Sequence, residues 1–105
     1  MKSEEILLSI LEEIRISLSF KVKGDIGSNK IFKNKRPYRK YLKKLGIKHI
    51  QYEVDEYADI DNTYCIGIWF KNEDFINLHS TDLMANINRL KVILSLQEEI
   101  KGVKQ

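Results

Sequence analysis

The sequence predicts an α+β domain: an antiparallel sheet of about three to five strands, flanked by two long helices and a short basic helix. Three observations lead there. Apolar residues recur at i, i+3 and i+4 near both ends of the chain. Strict alternation of apolar and polar residues occupies the middle. Clusters of Asp, Asn and Gly separate these segments.

The 105 residues fit one domain, residues 1–105, large enough to bury a core without metal or disulfide support. An apolar share of 43% with 31% charged residues is that of a folded chain, which excludes a disordered tail.

The first helix spans residues 4–17, with Ser3 as its N-cap and Glu4 and Glu5 at the positive end of the helix dipole. Ile6, Leu7, Ile10, Leu11, Ile14 and Leu18 form its apolar face. Leu18, Phe20 and Val22 alternate with Ser19, Lys21 and Lys23, the pattern of a strand. Gly24, Asp25, Ile26 and Gly27 read as a turn. They lack the Lys-Ser/Thr that would complete a phosphate-cradling loop. A second short strand is expected at Lys30–Lys33.

The stretch from Lys30 to Lys48 holds nine of the eighteen Lys and Arg residues and no acid. It contains the short helix, residues 37–45, with Pro37 in the first turn and Gly46 as its stop. Tyr38, Tyr41, Leu42 and Leu45 form the buried stripe, which leaves Arg39, Lys40, Lys43 and Lys44 on the outer side. Lys33, Lys35 and Arg36 extend this row into the preceding loop.

Two strands follow. Ile50, Tyr52 and Val54 alternate with polar residues, and Tyr64, Ile66, Ile68 and Phe70 alternate with Cys65, Gly67 and Trp69. Burying the two apolar sets on one face pairs even residues with even ones, which requires an odd-length connection of three or five residues. His49, Gln51, Glu53 and Asp55 then share the other face with Gly67 and Trp69. Phe75, Ile76 and Leu78 form a third strand or a linker. Ser80, Thr81 or Asp82 caps the last helix, residues 81–101, which stops at Gly102. Leu83, Ile87, Leu90 and Leu94 make its main stripe. Ile93, Leu96 and Ile100 broaden it enough to admit a homodimer seam.

A single cysteine, Cys65, cannot form an internal disulfide or a multi-cysteine zinc site. Charges interrupt the apolar N-terminal run, so neither a signal peptide nor a membrane span is expected, and the chain reads as cytoplasmic. No helix-turn-helix spacing, aromatic RNA-binding signature or zinc motif is present. No cofactor or metal is implied.

The net charge of +3 hides a strong asymmetry. Residues 49–70 carry no Lys or Arg, and Glu53, Asp55, Glu56, Asp59 and Asp61 crowd one hairpin. Such clustering speaks to partners. The leading expectation is a non-enzymatic binding protein whose basic helix contacts the phosphates of DNA or RNA, or a nucleic-acid-handling complex. Its candidate residues are Lys33, Lys35, Arg36, Arg39, Lys40, Lys43 and Lys44. The alternative is a protein inhibitor or immunity-type module that docks on a partner enzyme. It would use the acidic hairpin, with Trp69 as an anchor, or the basic helix. A third reading, a metal-dependent nuclease, rests on His49, Glu53, Asp55 and His79. The expected catalytic and metal sites are none, because the hairpin lacks the acid-x-Lys pattern of restriction-type nucleases.

Overall fold

A computed structural model describes residues 3–27, 36–57 and 60–102. The elements, in chain order, are α1 (Ser3–Ser19), β1 (Gly24–Ile26), α2 (Arg36–Lys44), β2 (Ile47–Tyr57), β3 (Ile60–Phe70), β4 (Phe75–Ser80) and α3 (Leu83–Lys101). The four strands form one antiparallel sheet in the order β1-β2-β3-β4. This is the α+β architecture the periodicities predict.

The helices cover one face of the sheet. Leu7, Ile10, Leu11, Ile14 and Leu18 of α1 meet Ile87, Leu90 and Leu94 of α3 in a core floored by Ile50, Ile66, Ile68 and Leu78. Each fully buried side chain of this kind contributes about 1.5–3 kcal/mol. Even residues pair with even ones, Ile50 with Ile68 and Tyr52 with Ile66, as the burial argument requires. The odd residue is absorbed differently from expectation. A register shift between Asp55 and Tyr57 brings Tyr57 opposite Ile60, so a bulge takes up the extra residue within the strands.

The expected strand over residues 18–23 is absent: α1 runs on through Ser19, and a turn at residues 20–21 follows it. Leu18 also continues the i, i+4 stripe of Ile14, and staying helical buries it completely. Phe20 and Val22 are left 75% and 53% exposed. The helix stops because Lys21 adopts a left-handed conformation, φ 57°. The Lys21 amide donates to the Leu18 carbonyl and the Val22 amide to the Ser17 carbonyl, closing a Schellman-type cap. Strand β1 comes instead from the segment read as a turn. Gly24 is needed there, because a Cβ would sit 2.6 Å from Cζ of Tyr52. The strand expected at Lys30–Lys33 lies outside the described residues.

Helix α3 begins at Asp82, whose carboxylate accepts from the Ala85 amide at 3.1 Å, and ends at Gly102 with φ 68°. Its Asn86 is fully buried, and Nδ2 donates to the carbonyls of Tyr64 and Leu78, both at 3.0 Å. That amide fixes the helix over β3 and β4. Among the described residues, no helix is long and apolar enough to cross a membrane.

Candidate functional site

Helix α2 is held by its neighbours at several points. Tyr41, Leu42 and Leu45 enter the core. The Tyr41 hydroxyl donates to the Glu98 carboxylate of α3, and Gln97 Nε2 donates to the Leu45 carbonyl at 2.9 Å. Lys71, in the turn after β3, donates from Nζ to the Lys43 carbonyl at 3.0 Å, placing a cation at the negative end of the helix. Gly46, at φ 77°, turns the chain from α2 into β2, and the Lys101 side chain packs beside it.

These constraints present α2's outer side to water. Arg36, Lys40, Lys43 and Lys44 are exposed. Arg36, Lys40 and Lys44 line a groove against Ser3 and Ile6 of α1. Arg39 departs from expectation and is half-buried. It lies three residues before Leu42, on the shoulder of the buried stripe, rather than opposite it. Lys33 and Lys35 lie outside the described residues. Among the described residues, the ion pairs are Arg15–Glu12 and Lys21–Glu56, so none neutralises the α2 cations. Lys71 and Lys101 escaped the sequence reading. Only the fold brings them to the end of α2, and no local pattern announces it.

The acidic hairpin is partly occupied by its own contacts. Glu56 pairs with Lys21 at 3.0 Å, and Asp55 accepts from the Cys65 thiol at 3.4 Å. Glu53 is exposed. Asp59 and the Asp61 side chain lie outside the described part of the structure.

Among the described residues, no helix covers the second face of the sheet. Its side chains form rows across the strands: His49–Trp69–Phe75, then Gln51–Gly67–Asn77, then Glu53–Cys65–His79. In the first row the His49 and Trp69 rings stack with centroids 5.9 Å apart, and Trp69 and Phe75 lie 4.3 Å apart at 32°. Trp69 is therefore half-buried between its neighbours, and its Nε1 donates to Gln51 at 3.4 Å. Phe75 also leans over Gly67, where a Cβ would come within 2.9 Å of its ring. The lower rows bound a concavity of about 690 Å³.

At the far end of that concavity, Cys65 Sγ lies 3.3 Å from His79 Nδ1 as well as close to Asp55. Burial pushes the thiol up to about 11, and the Asp55 and Glu53 carboxylates push the same way. The sulfur therefore keeps its proton near neutrality, the opposite of an activated nucleophile. His49 and His79 do not converge. They stand two of these rows, four residue positions, apart along the strands, about 13 Å, and two strands apart, about 10 Å. Among the described residues, no group of three His, Cys, Asp or Glu side chains is placed to hold a metal ion.

The chain is thus an α+β domain with one sheet face that no described helix covers and a basic helix whose C-terminal end meets the turn after β3. No family model, curated protein or solved structure matches it.

Proposed function

We propose that this protein is a binding module whose α2 surface engages the phosphates of a nucleic acid. The observation that supports the reading is the outer row Arg36, Lys40, Lys43 and Lys44. These cations are exposed and carry no ion pair among the described residues. Lys71 and Lys101 converge on the same helix end. Unpaired cations on a rigid helix bind a polyanion by releasing its condensed counterions, and they position it without reading bases. Arg36 adds a planar fork suited to bidentate phosphate contact, while the lysines act as point charges.

The bolts from Tyr41 to Glu98 and from Gln97 to the Leu45 carbonyl favour this use, because they fix the spacing of the cations in advance. The acidic hairpin supports docking less well, since Glu56 and Asp55 already have partners within the chain. Affinity for generic DNA and RNA, measured across a range of salt concentrations, tests the proposal. A chain that ignores both at low salt does not have this function.

A further inference from the structure

We infer that the open sheet face takes the unpaired bases of a single-stranded nucleic acid against the ring column His49–Trp69–Phe75. This rests on the phosphate-binding reading of α2 and names the kind of nucleic acid it would hold. The column ends at Phe75 on β4, beyond which no strand lies among the described residues, and that ring is 44% exposed. Ring surface is thereby left open to a further planar group. Bases offer π-faces of any sequence for such stacking.

The row beside the column carries two amide side chains, Gln51 and Asn77, both exposed. Amides match the donor and acceptor edges of bases. Gly67 between them keeps the floor low, so Phe75 can lie across it.

Charge sets where the backbone runs. Lys48 immediately precedes His49 and is exposed. Lys71 follows Trp69 by two residues and reaches the last turn of α2, where Lys43 and Lys44 stand. Lys48, Lys71 and the α2 lysines therefore border the ring column at the end of the sheet nearest α2, where they outnumber Glu73 and Asp74 of the turn before Phe75. Glu53 and Asp55 occupy the opposite end and repel phosphate. A strand that leaves α2 at this edge can lay its bases on the rings while its phosphates stay among the lysines. A duplex cannot, because its bases are already stacked on one another.

Trp69 is the single tryptophan, so its emission reports on this face alone. The full chain is titrated at low salt with a mixed-sequence single strand of about a dozen nucleotides, as DNA and as RNA, and with the matching DNA duplex. Either single strand should change Trp69 emission and bind about tenfold or more tighter than the duplex. Whichever of DNA and RNA binds tighter identifies the source. Phe75→Ala should weaken single-strand binding by about tenfold or more and leave duplex binding unchanged. Asn77→Ala, at an exposed position, should act in the same direction with circular dichroism unaltered. Equal single-strand and duplex binding with constant Trp69 emission and neutral variants would overturn the base-stacking site while leaving the α2 reading intact. Absence of any binding would remove the α2 reading and this inference with it. A concentration-dependent emission change without nucleic acid, accompanied by dimerisation, would assign the face to a second copy instead.

Discussion

The Tyr41 hydroxyl of α2 donates a hydrogen bond to the Glu98 carboxylate of α3, across 57 residues of sequence. Burial, reinforced by Glu98, raises the phenol well above its ordinary value, so the bond persists at any pH near neutrality. It joins the candidate binding helix to α3. Tyr41→Phe keeps the ring and removes the donor. It should cost about 1.5–3 kcal/mol in urea unfolding, the range for a hydrogen bond to a charged acceptor. Unchanged stability would mean that Glu98 finds water as good a partner.

Asn86 offers a sharper case, because it is fully buried and spans two carbonyls. Asn86→Ala should cost about 2–3 kcal/mol, through lost bonds and a small void. Asn86→Asp should be worse at pH 7, because a carboxylate would face the carbonyls of Tyr64 and Leu78. The introduced acid would have a raised value in the folded chain, so its deficit should shrink as pH falls and grow as pH rises. Equal stability of the two variants across pH would show that water reaches this site.

Two glycines should respond differently to alanine. At Gly24 the new Cβ would collide with the ring of Tyr52, a buried residue with little room to move. At Gly67 it would meet the rim of the exposed Phe75 ring, which can swing away. Gly24→Ala should therefore destabilise by about 2 kcal/mol or more, and Gly67→Ala by about 1 kcal/mol or less. Only Gly67→Ala should alter Trp69 emission strongly, since Phe75 packs at a tilt against that ring. Thermal unfolding of both variants decides the ranking, and the reverse order would contradict this packing.

Much of this architecture was legible in the chain. The stripe Leu83, Ile87, Leu90 and Leu94 located α3, and the parity of β2 and β3 predicted that Ile50 would face Ile68. The same parity placed His49 beside Trp69. Failures came where two periods competed or pairing was remote. Leu18 satisfied both a helical and a strand pattern, and the helix won because it buries that side chain against the core. Strand β1 has three residues, too few to show any period, and exists through its pairing with β2. The adjacency of Cys65 and His79 depended on β4 joining the sheet, which the short run from Phe75 to Leu78 left open. Lys71 and Lys101 reach α2 through tertiary contacts that sequence spacing does not encode.

Cys65 should make stability fall on the alkaline side. Its folded value is raised from 9.0 to about 11. A raised group contributes stability that is complete below its unfolded value and is lost as pH climbs through the folded one. The loss should therefore run from about pH 9 to about pH 11. Tyr41 and Tyr52, also raised by burial, act in the same direction. Cys65→Ser should flatten that part of the profile. A thiol reagent should modify the native protein slowly at pH 8 and faster with each rise in pH. A rate that levels off near pH 8 would show an activated thiolate instead.

The central claim is that α2 is a phosphate-binding surface, and the salt dependence of duplex binding tests it most directly. The logarithm of affinity should fall linearly with the logarithm of salt concentration, by about 0.9 for each phosphate neutralised. Replacing Lys40, Lys43 and Lys44 together with Gln should reduce that slope by roughly 3 and weaken binding at every salt concentration, with the fold intact. A slope near zero, or an unchanged slope in a folded triple variant, would contradict the account.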